Sequence, residues 1–279
     1  MSGRLTSRGL IAAAAALLCV MGTAEAQTPV NAPSAMQPSV GRVNVHQMAY
    51  VRWLGGSEST DGRDVRQFVS LTEINYGVLG NLALSLDIPL VHNRFSGEGF
   101  GASTGESSKG LGDLALTAKW RVWQHDTGPT DTRRVSLIGG LQIPGGTEMY
   151  MDSSGDAWNP MLGAVFSIVE GRHGGNASAI YELDTGTGAD TLRYDLSYLF
   201  RLAPSQFDMT TSHGAWYAIA ELNGLYETNG NNELFFAPGL MYEATWWTVD
   251  ATLILPVVRD VSDRPKSEIA FGVGLRVNF

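Results

Sequence analysis

Cysteine is nearly missing from this chain: the one copy, Cys19, lies within the first 26 of 279 residues. A body without cysteine has no disulfide framework, no zinc-type cysteine pairs and no catalytic thiol. Long apolar runs are missing too. The longest, Leu10 to Met21, spans twelve residues, fewer than a membrane-crossing helix needs. Helix-type spacing of apolar residues is absent beyond it, so helical fold classes have no support. Positive charge is scarce, with 19 Lys and Arg against 28 Asp and Glu, which argues against a nucleic-acid partner. The five histidines stand singly, without the spacing of metal ligands.

What is present begins with an export pattern. Arg4 and Arg8 precede the apolar run, and Ala24-Glu25-Ala26 supplies a small-x-small cleavage site. This predicts a secretory signal over residues 1–26, cleaved after Ala26. Leu18 is too bulky for a lipoprotein site at Cys19. Without Arg4, Arg8 and Glu25 the remainder carries 17 basic and 27 acidic residues, a formal charge of −10. Residues 27–42 hold three prolines and no periodicity, the pattern of a flexible leader. Residues 43–279 form the folded body.

Strict alternation dominates that body. In Leu192 to Leu202, residues Leu192, Tyr194, Leu196, Tyr198, Phe200 and Leu202 are apolar or aromatic, while Arg193, Asp195, Ser197 and Arg201 are polar. A soluble sandwich buries the first set; a membrane barrel turns it towards lipid and keeps the second for its lumen. Periodicity alone does not separate the two. Repeated fully apolar faces, segments of about 9–11 residues and connections that alternate between short and long favour the barrel. Twelve strands are expected, beginning near Val43, Val65, Leu82, Leu114, Val135, Met161, Ala177, Leu192, Trp216, Leu234, Val249 and Ile269. The predicted fold is all-β: a transmembrane antiparallel up-and-down β-barrel, with weak alternation near Val43, Val65 and Met161.

With the N-terminus periplasmic, Tyr76, Trp120, Trp123, Tyr198, Phe200, Trp216, Tyr242, Trp246 and Phe279 fall at the periplasmic ends of their strands. Aromatic rings favour that interface. The last strand carries Phe271, Val273, Leu275, Val277 and Phe279 on one face. This looks like the terminal signal by which outer-membrane barrels are recognised for assembly, so lipid, lipopolysaccharide and the barrel-assembly machinery are the expected partners.

Several stretches resemble the outer-membrane family named for the meta pathway of phenol degradation: Glu73 with Tyr76-Gly77, GLGDLALTAKW from Gly110, LQIPGG from Leu141, Pro238-Gly239 and Leu255-Pro256. The resemblance covers roughly Val65 to Phe279. It implies a single barrel that helps small, often hydrophobic or aromatic, molecules across the bacterial outer membrane. It brings no catalytic residues, and no cofactor is expected.

Other motifs have bland explanations. GLGDLA, from Gly110, fits a phosphate-binding spacing but lacks the strand before and helix after that the site needs. LDTGTG, from Leu183, has one Asp-Thr-Gly where an aspartic protease needs two. His92 and Ser96 are the candidates for a surface-embedded hydrolase, without a carboxylate to orient the imidazole. The inward alternation places Asp87, Asp113, Glu182, Asp195, Glu221, Glu243 and Asp250 against Lys119, Arg121, Arg193, Arg201 and Arg276. These charges either line a polar path for a solute or neutralise one another in a filled lumen. The expected function is a channel or passive transporter; a structural or adhesive barrel with a closed lumen is the alternative, and an embedded hydrolase a third.

Overall fold

The computed structural model describes residues 27–57, 60, 62–97, 106–128, 130–147, 149, 157–206, 214–262 and 264–279. The expected signal segment, 1–26, lies outside them. The described residues form thirteen strands: β1 (Val43–Leu54), β2 (Asp64–Leu79), β3 (Leu82–Ser96), β4 (Ser107–Leu111), β5 (Leu114–Asp126), β6 (Thr132–Ile143), β7 (Asn159–Glu170), β8 (His173–Glu182), β9 (Thr191–Ala203), β10 (Ala215–Glu227), β11 (Asn232–Glu243), β12 (Trp247–Asp260) and β13 (Ser267–Asn278).

β4 and β5 are two pieces of one stave. Both pair with β3, β4 along Leu90 to Arg94 and β5 along Leu82 to Asp87. The break falls at Gly112-Asp113, opposite Pro89, which has no N–H to offer the ladder; Gly112 N donates to the Pro89 carbonyl at 2.9 Å. Twelve staves therefore run up and down, each antiparallel to its neighbour, and β13 returns to β1 in register from Asn44↔Asn278 to Trp53↔Ile269. Closure removes every sheet edge, which strands surrounded by hydrocarbon require. Phe279 completes the seam: its N–H donates to the Val43 carbonyl at 2.8 Å.

Burial is inverted relative to a soluble protein. Glu221, Gln67 and Asn93 are fully buried, whereas Leu162 is 70% exposed and Leu196 57%. The polar face of each strand is enclosed and the apolar face looks outward, so the surrounding medium of this barrel is apolar. That decides between the two solutions the alternation left open. No helix among the described residues is long and apolar enough to cross a membrane; the strands do the crossing.

One prediction follows from the outward position of Leu196. Leu196→Arg should cost about 2–4 kcal/mol in a bilayer, as for charges near the midplane of other barrels, whereas Arg193→Gln on the enclosed face of β9 should cost less. Folding titrations into lipid vesicles read the order of the two effects directly.

Residues 27–42 contain no strand, but they are not free of the barrel. Gln27, Thr28, Ser34, Ala35 and Gln37 are buried, because the segment turns into the lumen from the end where β1 begins and β13 finishes, here called the inner end. In the structure the segment expected as a flexible leader is packed against the lumen wall. Its entry depends on Gly77: a Cβ there would lie 2.2 Å from the Ser39 carbonyl oxygen, and the bare backbone instead exchanges hydrogen bonds with Gly41 N at 2.8 Å and the Arg42 carbonyl at 3.0 Å.

Candidate functional site

The lumen is built from alternate residues of every stave and from the segment that enters it. A strand's inward face repeats every second residue, so Asp87 on β3, Lys119 and Arg121 on β5, Glu182 on β8, Arg193, Asp195 and Arg201 on β9, Glu221 on β10, Glu243 on β11, Asp250 on β12 and Arg276 on β13 all occupy inward positions. Asp113 sits in the break between β4 and β5. There its carboxylate accepts from Gly145 N at 2.8 Å and from the Gln142 side chain at 3.0 Å, holding the β6–β7 connection against the wall.

The entering segment has backbone donors and acceptors but no neighbouring strand, so wall side chains must satisfy them. Glu221, which is 0% exposed, accepts from Val30 N and Asn31 N, each at 3.0 Å, and from the Asn31 side-chain amide. Asn31 also donates to Thr252 Oγ1 at 3.1 Å and accepts from the Tyr50 hydroxyl at 3.3 Å. Lys119 Nζ donates to the carbonyls of Ser34 and Met36 at 2.8 and 2.6 Å. Ser167 Oγ accepts from Ala35 N at 2.8 Å, and Arg276 holds Thr28 and the Pro29 carbonyl. Thus Lys119, Glu221 and Arg276 fasten the segment. Asn31 is its tip, level with Glu221 and Thr252.

Beside this plug, a cavity of about 50 Å³ is bordered by Thr28, Ser34, His46, Glu73, Lys119 and Arg276. His46 is wedged between acids, with Nε2 3.2 Å from Asp250 and Nδ1 3.8 Å from Glu73. At the outer end a second network closes over the lumen. Arg264, on the β12–β13 connection, donates to Glu227 at 2.9 Å and to Glu233 at 2.8 Å, and all three side chains are buried. Asp195 is satisfied by Ser178 at 2.7 Å and Asn223 at 2.9 Å, and Arg193 lies 3.6 Å from Glu182.

Some expected residues stand apart from these networks. Arg121 reaches the inner turn and donates to the Gly80 carbonyl. His46, Arg52, Glu73, Glu227, Glu233 and Arg264 carry much of the lumenal charge without having been singled out by alternation. The first three lie on β1 and β2, whose apolar and polar residues are mixed on both faces; Arg264 lies on a connection, where no periodicity exists.

Outside, Tyr76, Trp120, Trp123, Tyr198, Trp216, Trp246 and Phe279 are exposed at the inner end of the wall. Phe200 and Tyr242 are half-buried among them: Tyr242 lies 4.9 Å from Trp216 and 5.4 Å from Trp247, ring centre to ring centre, and Arg172 lies 4.6 Å over Phe200. On β13, Phe271, Val273 and Leu275 are exposed and Val277 is half-exposed. His92 also points outward, in register with Phe68 and Lys109.

Fold and lumen together define a class: a membrane-spanning twelve-stave barrel whose inner half is filled by its own N-terminal segment. The family model described as "Putative MetA-pathway of phenol degradation" matches residues 46–268, and the chain belongs to that family. Among solved structures, an outer-membrane channel from Pseudomonas putida F1 is 13% identical, with a TM-score of 0.57 over 91% of this chain and 100% of its own. The β domain of the Bordetella autotransporter BrkA is 11% identical, with a TM-score of 0.48 over 85% of this chain and 99% of its own. The CymD monoaromatic hydrocarbon channel is 12% identical, with a TM-score of 0.44 over 88% and 89%. At such identities the likeness is one of fold. No curated protein sequence matches the chain.

Proposed function

We propose that this protein is an outer-membrane channel through which small, hydrophobic or aromatic molecules pass by diffusion, and that it is not an enzyme. The observation that carries this reading is the lumenal segment. It is held by side-chain hydrogen bonds to the wall and contributes only its last residues to the backbone ladder, so it can be displaced without opening the barrel. The family's association with phenol degradation supports aromatic solutes.

On this reading residues 1–26 are a signal peptide removed at Ala26. The apolar wall is surrounded by outer-membrane lipid and lipopolysaccharide, and the barrel-assembly machinery recognises the β13 face that ends at Phe279. No metal or cofactor is required. A structural or adhesive barrel is the second reading, favoured by the number of buried hydrogen bonds that fasten the segment. An embedded hydrolase is third, and His92, beside Phe68 and Lys109, is poorly supplied with the carboxylate it would need.

Planar-bilayer recordings of the purified mature protein separate these readings. A channel gives discrete current steps, and liposomes containing it take up small aromatic solutes too polar to cross lipid unaided. A folded protein that does neither is a closed barrel.

A further inference from the structure

Above the tip of the plug, several acids of the outer lumen have partners on the wall among the described residues. Asp195 is held by Ser178 and Asn223. Glu182 has Asn159 at 3.3 Å and Arg193 at 3.6 Å. Glu227 and Glu233 share Arg264. Arg52 is different. It faces inward on β1, in register with the buried Gln67 on one side and the buried Ala270 on the other, yet its side chain makes no hydrogen bond and no ion pair among the described residues. Its electrostatic neighbours are Tyr50, Arg193, Arg264 and a Glu233 already engaged by Arg264. The acidic Asp87 lies two inward positions nearer the inner end than Val91, among Glu73, Lys119 and Arg193.

A half-buried guanidinium that faces the lumen with its five donors unengaged is a site for an anion, and its planar fork suits a carboxylate or another paired oxygen. What lies next to it decides the rest of the ligand. One inward position below Arg52 is Tyr50, which pairs across to Val69 and through it to Val91, both buried and apolar. That row offers an aromatic face and two branched aliphatic side chains directly under the cation. The floor is Asn31, already bonded to the Tyr50 hydroxyl.

We propose that this outer chamber binds a small organic anion with an aromatic body, its anionic oxygens on Arg52 and its ring against Tyr50, Val69 and Val91. The proposal deepens the channel reading by naming the solute class, and rests on it only for the solute's passage. Inorganic anions lack the apolar body, and neutral aromatics lack the group that pairs with Arg52, so both bind more weakly.

Titration calorimetry on the detergent-purified mature protein tests this with benzoate and its neutral isostere benzamide. Wild type should bind benzoate at least about tenfold more tightly, the effect of one charge-assisted pair. Arg52→Gln should remove that preference and leave benzamide unchanged, and Arg52→Lys should restore part of it. A folded wild type without preference for benzoate overturns the proposal, and so does a preference that survives Arg52→Gln. Should Arg52→Gln fail to fold, the wild-type preference and the Arg52→Lys titration decide. Bilayer recordings of the same preparations keep the two readings apart: conductance without the preference removes the site and leaves the channel, whereas the preference without conductance does the reverse.

Discussion

Deleting residues 27–40 raises the conductance of the folded barrel several-fold. The segment fills the inner half of the lumen and is fastened by Glu221, Lys119, Ser167 and Arg276, none of which needs it to keep its own place in the ladder. Once it is gone, water replaces the lost hydrogen bonds at each of these polar side chains, so the wall stays wetted and stable. Glu221→Gln should act in the same direction and more weakly. Its carboxylate accepts three N–H groups of the segment, and an amide offers one oxygen in place of two. Conductance and heat-modifiable migration are measured together: a larger current with unchanged migration is expected. An unchanged current in a folded deletion would mean that the plug is not what limits the path.

Arg264→Met should destabilise the barrel by about 3–5 kcal/mol, the usual cost of removing one member of a buried ionic network. Glu227 and Glu233 are almost completely enclosed, and Arg264 itself is 5% exposed. Without the guanidinium, two carboxylates remain next to each other with little water to solvate them. Adding Glu227→Gln and Glu233→Gln should recover most of the loss, because the stranded charges are then gone. Urea titrations in lipid vesicles measure both. Equal stability of Arg264→Met and wild type would place this network in open water instead of under the β12–β13 connection.

Much of the fold was legible in strands where lipid and lumen impose opposite chemistry on alternate residues. β9 carries Leu196 and Tyr198 outward against Asp195 and Ser197 inward, and β13 is as regular. β1 and β2 obscure the pattern for a physical reason. Their inward face includes Met48, Tyr50, Val69 and Leu71, while Gln47, Ser70 and Thr72 face outward and satisfy one another, with Thr72 donating to Gln47 at 2.6 Å and Gln47 to Ser70 at 3.0 Å. β8 begins at His173, ahead of the expected Ala177, because Gly174 and Gly175 carry no side chain to alternate. Least legible was the plug. Its prolines and lack of period suit a loose leader equally well, and what orders it are partners such as Glu221, 191 residues away from Val30. Nothing local encodes that contact, and the same is true of Arg264 with its two glutamates.

A disulfide at the plug tip tests the central claim most directly. The Asn31 amide lies 3.1 Å from Thr252 Oγ1, and the chain beyond residue 26 has no cysteine, so Asn31→Cys with Thr252→Cys introduces the only two thiols. In an oxidising compartment side chains in contact can cross-link. The expected result is a folded barrel in which both thiols are lost to one intramolecular disulfide and conductance stays low until a reductant is added. Two free thiols that both react with a water-soluble maleimide, in a barrel that folds normally and does not cross-link, would contradict a plug seated in the lumen.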